Sequence, residues 1–173
     1  MKHLAATLVA AMAGAPMDSH AKPRPSIHRE AQAARQACAP YAGHIEAAEK
    51  VNKLRRHTLT ALLYSESRCR PDAESKKGAR GLGQHTRSGA AAVGRIQQDK
   101  GDPKPWFSYA RTLDPVASIR AAADLLAFGL ELCGGLAEAI RMYNTGRCGP
   151  PSTFARRVLR LADWLRAAEE LRT

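Results

Sequence analysis

Leu59-Thr60-Ala61-Leu62-Leu63-Tyr64-Ser65-Glu66-Ser67, running through Arg68-Cys69-Arg70 into Pro71-Asp72-Ala73-Glu74-Ser75-Lys76-Lys77-Gly78-Ala79-Arg80-Gly81-Leu82-Gly83-Gln84, is the stretch that decides the fold. Its first third has helical periodicity, because Leu59, Leu62, Leu63 and Glu66 fall at i, i+3, i+4 and i+7 and so share one face. A carboxyl group on a face that enters a core stands at the edge of that core. The remainder cannot continue the helix. Pro71 and the glycines at 78, 81 and 83 require a loop with one or two turns, placed directly after the acidic side chain.

Working outward, Ile27 to Ala37 and Ile45 to Ser67 both suit helices, with a break near Arg56-His57 that would divide the second. His85 to Gln98 predicts a further helix with Ala90 to Val93 facing inward, and the polar, proline-bearing Asp99 to Trp106 predicts an exposed loop. Asp114-Pro115 opens another, as cap and first helical residue, and Ile119, Ala122, Ala123, Leu126 and Leu130 form its buried stripe up to Gly134-Gly135. Leu136 to Tyr143 follows. Ser152 caps a last helix with Phe154, Val158, Leu161 and Leu165 on one face and arginines on the other. The expected fold is all-α, at most a mainly helical α+β arrangement, in a single compact domain.

Composition supports that class. The 173 residues fit one domain, and 45% hydrophobic content with only 5% aromatics and abundant alanine favours packed helices. The net charge is +11 with a pI of about 10.0, which suits nucleic acid, anionic lipid or the anionic polymers of a bacterial envelope, because a long-range field selects sign rather than chemistry. Met1 to Ala21 places Lys2 and His3 before the apolar Leu4 to Ala15 and reads as a secretory signal cut after Ala21. An uncleaved anchor or an apolar arm remains the other reading. Lys22 to Ser26 reads as a linker, and the domain is expected to span residues 27–173.

A carboxyl group set against leucines keeps its proton to higher pH, since burial penalises the anion, and a proton available near neutrality is what a glycosidic leaving oxygen needs. Glu66 is therefore a credible general acid, although periodicity alone favours an ordinary helix-end glutamate paired with Arg68 or Arg70. A second string, Tyr143-Asn144-Thr145-Gly146, lies downstream. Glu66-Ser67 with Pro71, Ala73, Ser75 and Gly78-Ala79-Arg80-Gly81-Leu82-Gly83-Gln84, followed by that second string, resembles the soluble lytic transglycosylases, related in fold to goose-type lysozymes. The resemblance runs from about Leu59 to Leu165.

The resemblance implies a lysozyme-like domain with a catalytic cleft. It also implies cleavage of the β-1,4 bond between N-acetylmuramic acid and N-acetylglucosamine, with Glu66 as sole acid and base and 1,6-anhydro ends as product. It assigns Ser75 and Gln84 to the sugar cleft, Tyr143 as a phenol bonded to the glutamate, and Asn144 to the same turn. No cofactor or metal is expected, and no Cys-x-x-Cys or His-x-x-x-His spacing occurs. Several positions depart from the family pattern. A large apolar residue is common where Gly83 stands, so a cleft wall is expected to be missing; an aromatic is common at Cys69; and an apolar residue and a proline usually stand in place of His85-Thr86. Trp106, Phe107 and Tyr109 could be either a stacking platform for sugars or core plugs.

Four cysteines in a chain with an export signal imply two disulfides. Of the three pairings, Cys38–Cys69 with Cys133–Cys148 is favoured, because each pair brackets one of the helices carrying the motifs. The expected partner is the glycan strand of peptidoglycan, met in the periplasm or envelope by an enzyme that opens the wall locally for a secretion machine, a pilus or a phage particle. The protein is expected to be a monomer. Two alternatives stand beside this: a muramidase in which Asp72 steadies a water, and a non-catalytic basic protein whose Lys53, Arg55, Arg56 and Arg156-to-Arg172 arginines contact phosphates.

Overall fold

The computed structural model describes residues 25–101 and 104–171, so the signal segment and most of the linker lie outside the described residues. Among the described residues seven α-helices follow one another: α1 (Pro25–Cys38), α2 (Ala42–Val51), α3 (Thr58–Ser67), α4 (Arg87–Asp99), α5 (Pro115–Cys133), α6 (Leu136–Thr145) and α7 (Thr153–Glu170). The domain's first helix thus includes Pro25 and Ser26, two residues earlier than expected. Among the described residues there is no sheet; two isolated antiparallel bridges, Glu74 with Arg80 and Arg80 with His85, stiffen the loop after α3.

The elements form where the local signals stand. Asp114 accepts the Ala117 amide at 3.1 Å and Ser152 accepts that of Ala155 at 3.1 Å, so the two longest helices start at side-chain caps. Gly134 and Gly146 end α5 and α6 in left-handed conformations that glycine adopts without steric cost. Residues 52–57 make the break within the second predicted helix, turning through Lys53 and His57 at positive φ.

The fully buried Leu59, Leu62 and Leu63 of α3 meet Ile119 and Leu126 of α5, Ile140 of α6, and Val158 and Leu165 of α7 in one core. Removing such side chains from water contributes roughly 1.5–3 kcal/mol each. A smaller cluster of Ala90, Val93, Phe107, Ala117 and Ala121 seats α4 on α5. The helix bearing Glu66 is therefore gripped along its length by the core.

Its two ends are fixed by other means. No side chain of its own caps the N-terminus of α3. Instead Glu49 of α2, itself 5% exposed, accepts the Leu59 amide at 2.7 Å and the His57 amide at 3.0 Å. An anion there also suits the positive end of the helix dipole. At the C-terminus Arg68 and Cys69 both take positive φ, a strained pair for non-glycine residues. The Cys38–Cys69 disulfide ties that turn to α1, and Cys133–Cys148 closes the segment carrying α6. Both bridges are the pairings expected from the sequence.

Candidate active site

Glu66 lies in the last turn of α3 and lines a cavity of about 900 Å³ that opens between the loop after α3, α4, the C-terminal half of α5 and the end of α6. Ser75, Gln84, Tyr143 and Asn144 line the same cavity, so every residue assigned to the sugar cleft is brought to one place. Burial alone pushes the Glu66 carboxyl from its ordinary 4.5 to about 7, and no hydrogen bond or cation among the described residues draws it back. Neither Arg68 nor Arg70 pairs with it: Arg68 reaches Glu30 at 3.6 Å, and Arg70 donates to the Ser67 carbonyl at 3.2 Å.

The lining residues are held by the loop they belong to. Ser75 Oγ accepts the Ala79 amide at 3.0 Å and the Lys77 amide at 3.3 Å, which occupies its lone pairs and leaves its hydroxyl proton to donate. Gln84 donates both amide protons to carbonyls of the loop, Ala73 at 3.1 Å and Gly81 at 3.0 Å, so its oxygen is the atom left for a ligand. Gly81, at φ 73, packs so tightly that a Cβ would stand 1.8 Å from the Thr112 carbonyl oxygen. Tyr143 differs from expectation. Its hydroxyl donates to the Gly83 carbonyl at 2.6 Å rather than to the glutamate, because the loop carbonyl claims its single proton. Burial and the nearby Glu66 charge hold that phenol well above its ordinary pKa.

Other sequence candidates fall elsewhere. Asp72 is exposed and outside the cavity, and Glu74 bonds Arg80 at 2.9 Å. Asp99, placed in an exposed loop by the sequence, ends α4 and is the other carboxylate that lines the cavity among the described residues. Trp106, Phe107 and Tyr109 do not line it: Phe107 is 3% exposed in the small core, Trp106 lies under Arg120 at 4.3 Å, and the Tyr109 hydroxyl donates to the Gly78 carbonyl at 2.6 Å. Of the two readings, the core plug is observed for Phe107, whereas Trp106 and Tyr109 are half-buried beside it with arginines over their rings. The missing wall at Gly83 is also filled. The buried His85 ring stands where a side chain at 83 would project.

Four of the arginines considered for a phosphate-contacting array are paired with carboxylates. Arg55 meets Asp163 at 3.3 Å, Arg56 meets Glu169 at 2.6 Å, Arg157 meets Glu30 at 2.6 Å, and Arg166 bonds Asp163. The Arg157 pair ties α7 to α1, and the Arg55 and Arg56 pairs, with the Arg166 guanidinium donating to the Arg56 carbonyl at 2.8 Å, tie it to the turn before α3. No group of three or more metal-ligating side chains occurs among the described residues, and none of their helices is long and apolar enough to cross a membrane.

No curated protein matches the chain. The family model described as a transglycosylase SLT domain matches residues 43–156, about two thirds of the chain. That span begins in α2, whose Glu49 anchors α3, and ends in the first turn of α7. It therefore holds the whole cavity wall, from Glu66 to Gly146. By this match over most of its folded length the chain belongs to the transglycosylase SLT domain family, and its catalytic domain is of the lytic transglycosylase type.

Proposed function

We propose that this protein is a peptidoglycan lytic transglycosylase in which Glu66 alone serves as acid and base. The observation that carries the reading is a carboxyl group holding its proton to about pH 7, unpaired, in a cleft of about 900 Å³ lined by hydroxyl and amide groups suited to sugars. Protonated Glu66 gives its proton to the oxygen between N-acetylmuramic acid and N-acetylglucosamine. The bond to the anomeric carbon then breaks, with the 2-acetamido oxygen assisting at that carbon. The resulting carboxylate takes the proton of the 6-hydroxyl, whose oxygen closes the 1,6-anhydro ring. Glu66 ends as it began, protonated.

A hydrolytic outcome needs a second carboxylate to hold water, with separations of about 5–9.5 Å from the acid in glycosidases. Asp72, the candidate from sequence, lies outside the cavity, which leaves Asp99 as the residue a muramidase reading must use. The test is the product made by Asp72→Asn and Asp99→Asn on purified peptidoglycan. Both variants are expected to release anhydro ends, as the wild type does, while Glu66→Gln releases none. Reducing ends from the wild type that disappear in Asp99→Asn would overturn the single-acid mechanism.

The biological reading follows from the substrate. Residues 1–21 direct export and are removed, residues 22–24 precede the first helix of the domain, and the enzyme acts as a monomer in the periplasm or envelope. There it opens the wall locally for a secretion, pilus or phage assembly. Its net charge of +11 holds it on the anionic wall. Against nucleic acid as a partner stand the export segment and the engagement of Arg55, Arg56, Arg157 and Arg166, of the array considered for it, with carboxylates of the same fold.

A further inference from the structure

One wall of the cleft is built from a residue two positions further along the chain than the sequence pattern implies. Gly83 carries no side chain and has no room for one: a Cβ there would stand 2.4 Å from His85 Nε2 and 2.8 Å from Tyr143 Oη. His85 is 3% exposed, yet it lines the cavity that Glu66 lines. Its ring packs edge-on against Phe107 and Tyr143, with centroids 5.0 and 6.3 Å away.

The ring's protonation is fixed by its partner. Nε2 lies 3.1 Å from the Ser118 carbonyl oxygen, which can only accept, so Nε2 carries the proton. Burial lowers the imidazole pKa to about 4, so the ring is neutral at physiological pH and Nδ1 bears a lone pair. That nitrogen has no hydrogen-bond partner among the described residues. It is not sealed in the core either, because Thr58 Oγ1 and Ser65 Oγ are the only fully buried, partnerless side-chain polar atoms among those residues. An accessible acceptor without a protein partner, on a residue that lines the cleft, is open to a donor from a bound ligand.

We propose that His85 is a substrate-positioning residue: its Nε2–Cδ2 edge fills the space beside Gly83, and its Nδ1, on the other edge of the ring, accepts a hydrogen bond from a neutral donor of the bound glycan, a sugar hydroxyl or an acetamido N–H. This rests on the glycan-cleaving reading. Gly83 and His85 form a coupled pair in which a side chain at 83 and a ring at 85 exclude each other.

The test is ¹⁵N NMR of the full chain carrying Glu66→Gln and labelled at histidine, titrated with a tetrasaccharide of alternating N-acetylglucosamine and N-acetylmuramic acid. The His85 Nδ1 resonance is expected to move upfield, as an unprotonated ring nitrogen does on accepting a hydrogen bond, while His57, at the far end of α3, stays in place. A tetrasaccharide in which each 2-acetamido group is replaced by a 2-O-acetyl ester, which has no N–H, then separates the donors, since the movement persists with a hydroxyl and disappears with an amide. In the active enzyme His85→Phe is expected to raise KM about fivefold with a smaller effect on kcat, the loss of one modest hydrogen bond. Saturating sugar that leaves Nδ1 unmoved, with KM unchanged in His85→Phe, overturns the inference and leaves the enzymatic reading intact. A tetrasaccharide that does not bind refutes both.

Discussion

Replacing Glu66 by glutamine should stabilise the protein at alkaline pH relative to its effect in acid. The folded carboxyl titrates near 7 and its ordinary value is 4.5. Between those values the folded chain holds a proton that the unfolded chain has released, so the wild type loses stability as pH rises through that window. At about 1.4 kcal/mol per pH unit, the interval from 4.5 to about 7 comes to about 3 kcal/mol, complete above pH 7 and absent below pH 4.5. Glutamine has no anion to bury and does not incur that loss. Any fixed packing cost of the amide shifts the variant equally at every pH. His85 works in the opposite sense, with a folded pKa of about 4 against 6.5, so it removes stability as pH falls below 6.5. Its contribution is common to both proteins and cancels in their difference. Thermal melts of the disulfide-intact proteins between pH 4 and 8 are the assay. The gap in Tm, variant minus wild type, should be larger at pH 8 than at pH 4 by roughly 6–12 °C, for a chain of this size. A gap that does not change with pH would refute the claim that Glu66 is buried as the acid.

Two further perturbations test the frame that holds the site. Serine at both Cys133 and Cys148, which close a loop of 15 residues, is expected to cost about 3 kcal/mol in denaturant unfolding, and loss of the Cys38–Cys69 bridge, with its separation of 31, slightly more; unchanged midpoints in both cases would show that the bridges do not support the fold. Gly81→Ala must clear the Thr112 carbonyl at a backbone angle of φ 73 and is expected to lose at least about 2 kcal/mol and most activity, whereas wild-type stability would contradict the tight packing of the loop.

The fold was legible where local chemistry and hydrophobic period agree. Asp114-Pro115 and Ser152 announce their helices because capping is a matter of neighbouring residues, and the stripe on α5 follows from its 3.6-residue period. Glu66 and the residues around it were legible through two strings whose order and content match a family. What the sequence did not disclose depends on residues far apart in the chain. Glu49 caps a helix that begins nine residues later, and only the turn through 52–57 brings its carboxyl to the Leu59 amide. The proton of Tyr143 goes to a loop carbonyl 60 residues away instead of to the glutamate. Gly83 suggested a missing wall because its vacancy could be read, whereas the ring that fills it is placed by Ser118, 33 residues beyond His85. Trp106, Phe107 and Tyr109 could not be sorted between platform and plug, since exposure of an aromatic is a property of what packs on it. Arg55, Arg56 and Arg157 read as free charge until α7 brought their carboxylates within reach or α1 did so across it.

The central claim is that one carboxyl group, acting twice, cleaves the glycan and closes the sugar ring. Mass spectrometry of the fragments that the full chain and its Glu66→Gln variant release from purified peptidoglycan tests it most directly. The account predicts 1,6-anhydro-muramyl ends from the wild type and no release from the variant. Reducing ends from the wild type, or anhydro ends that persist without Glu66, would contradict it.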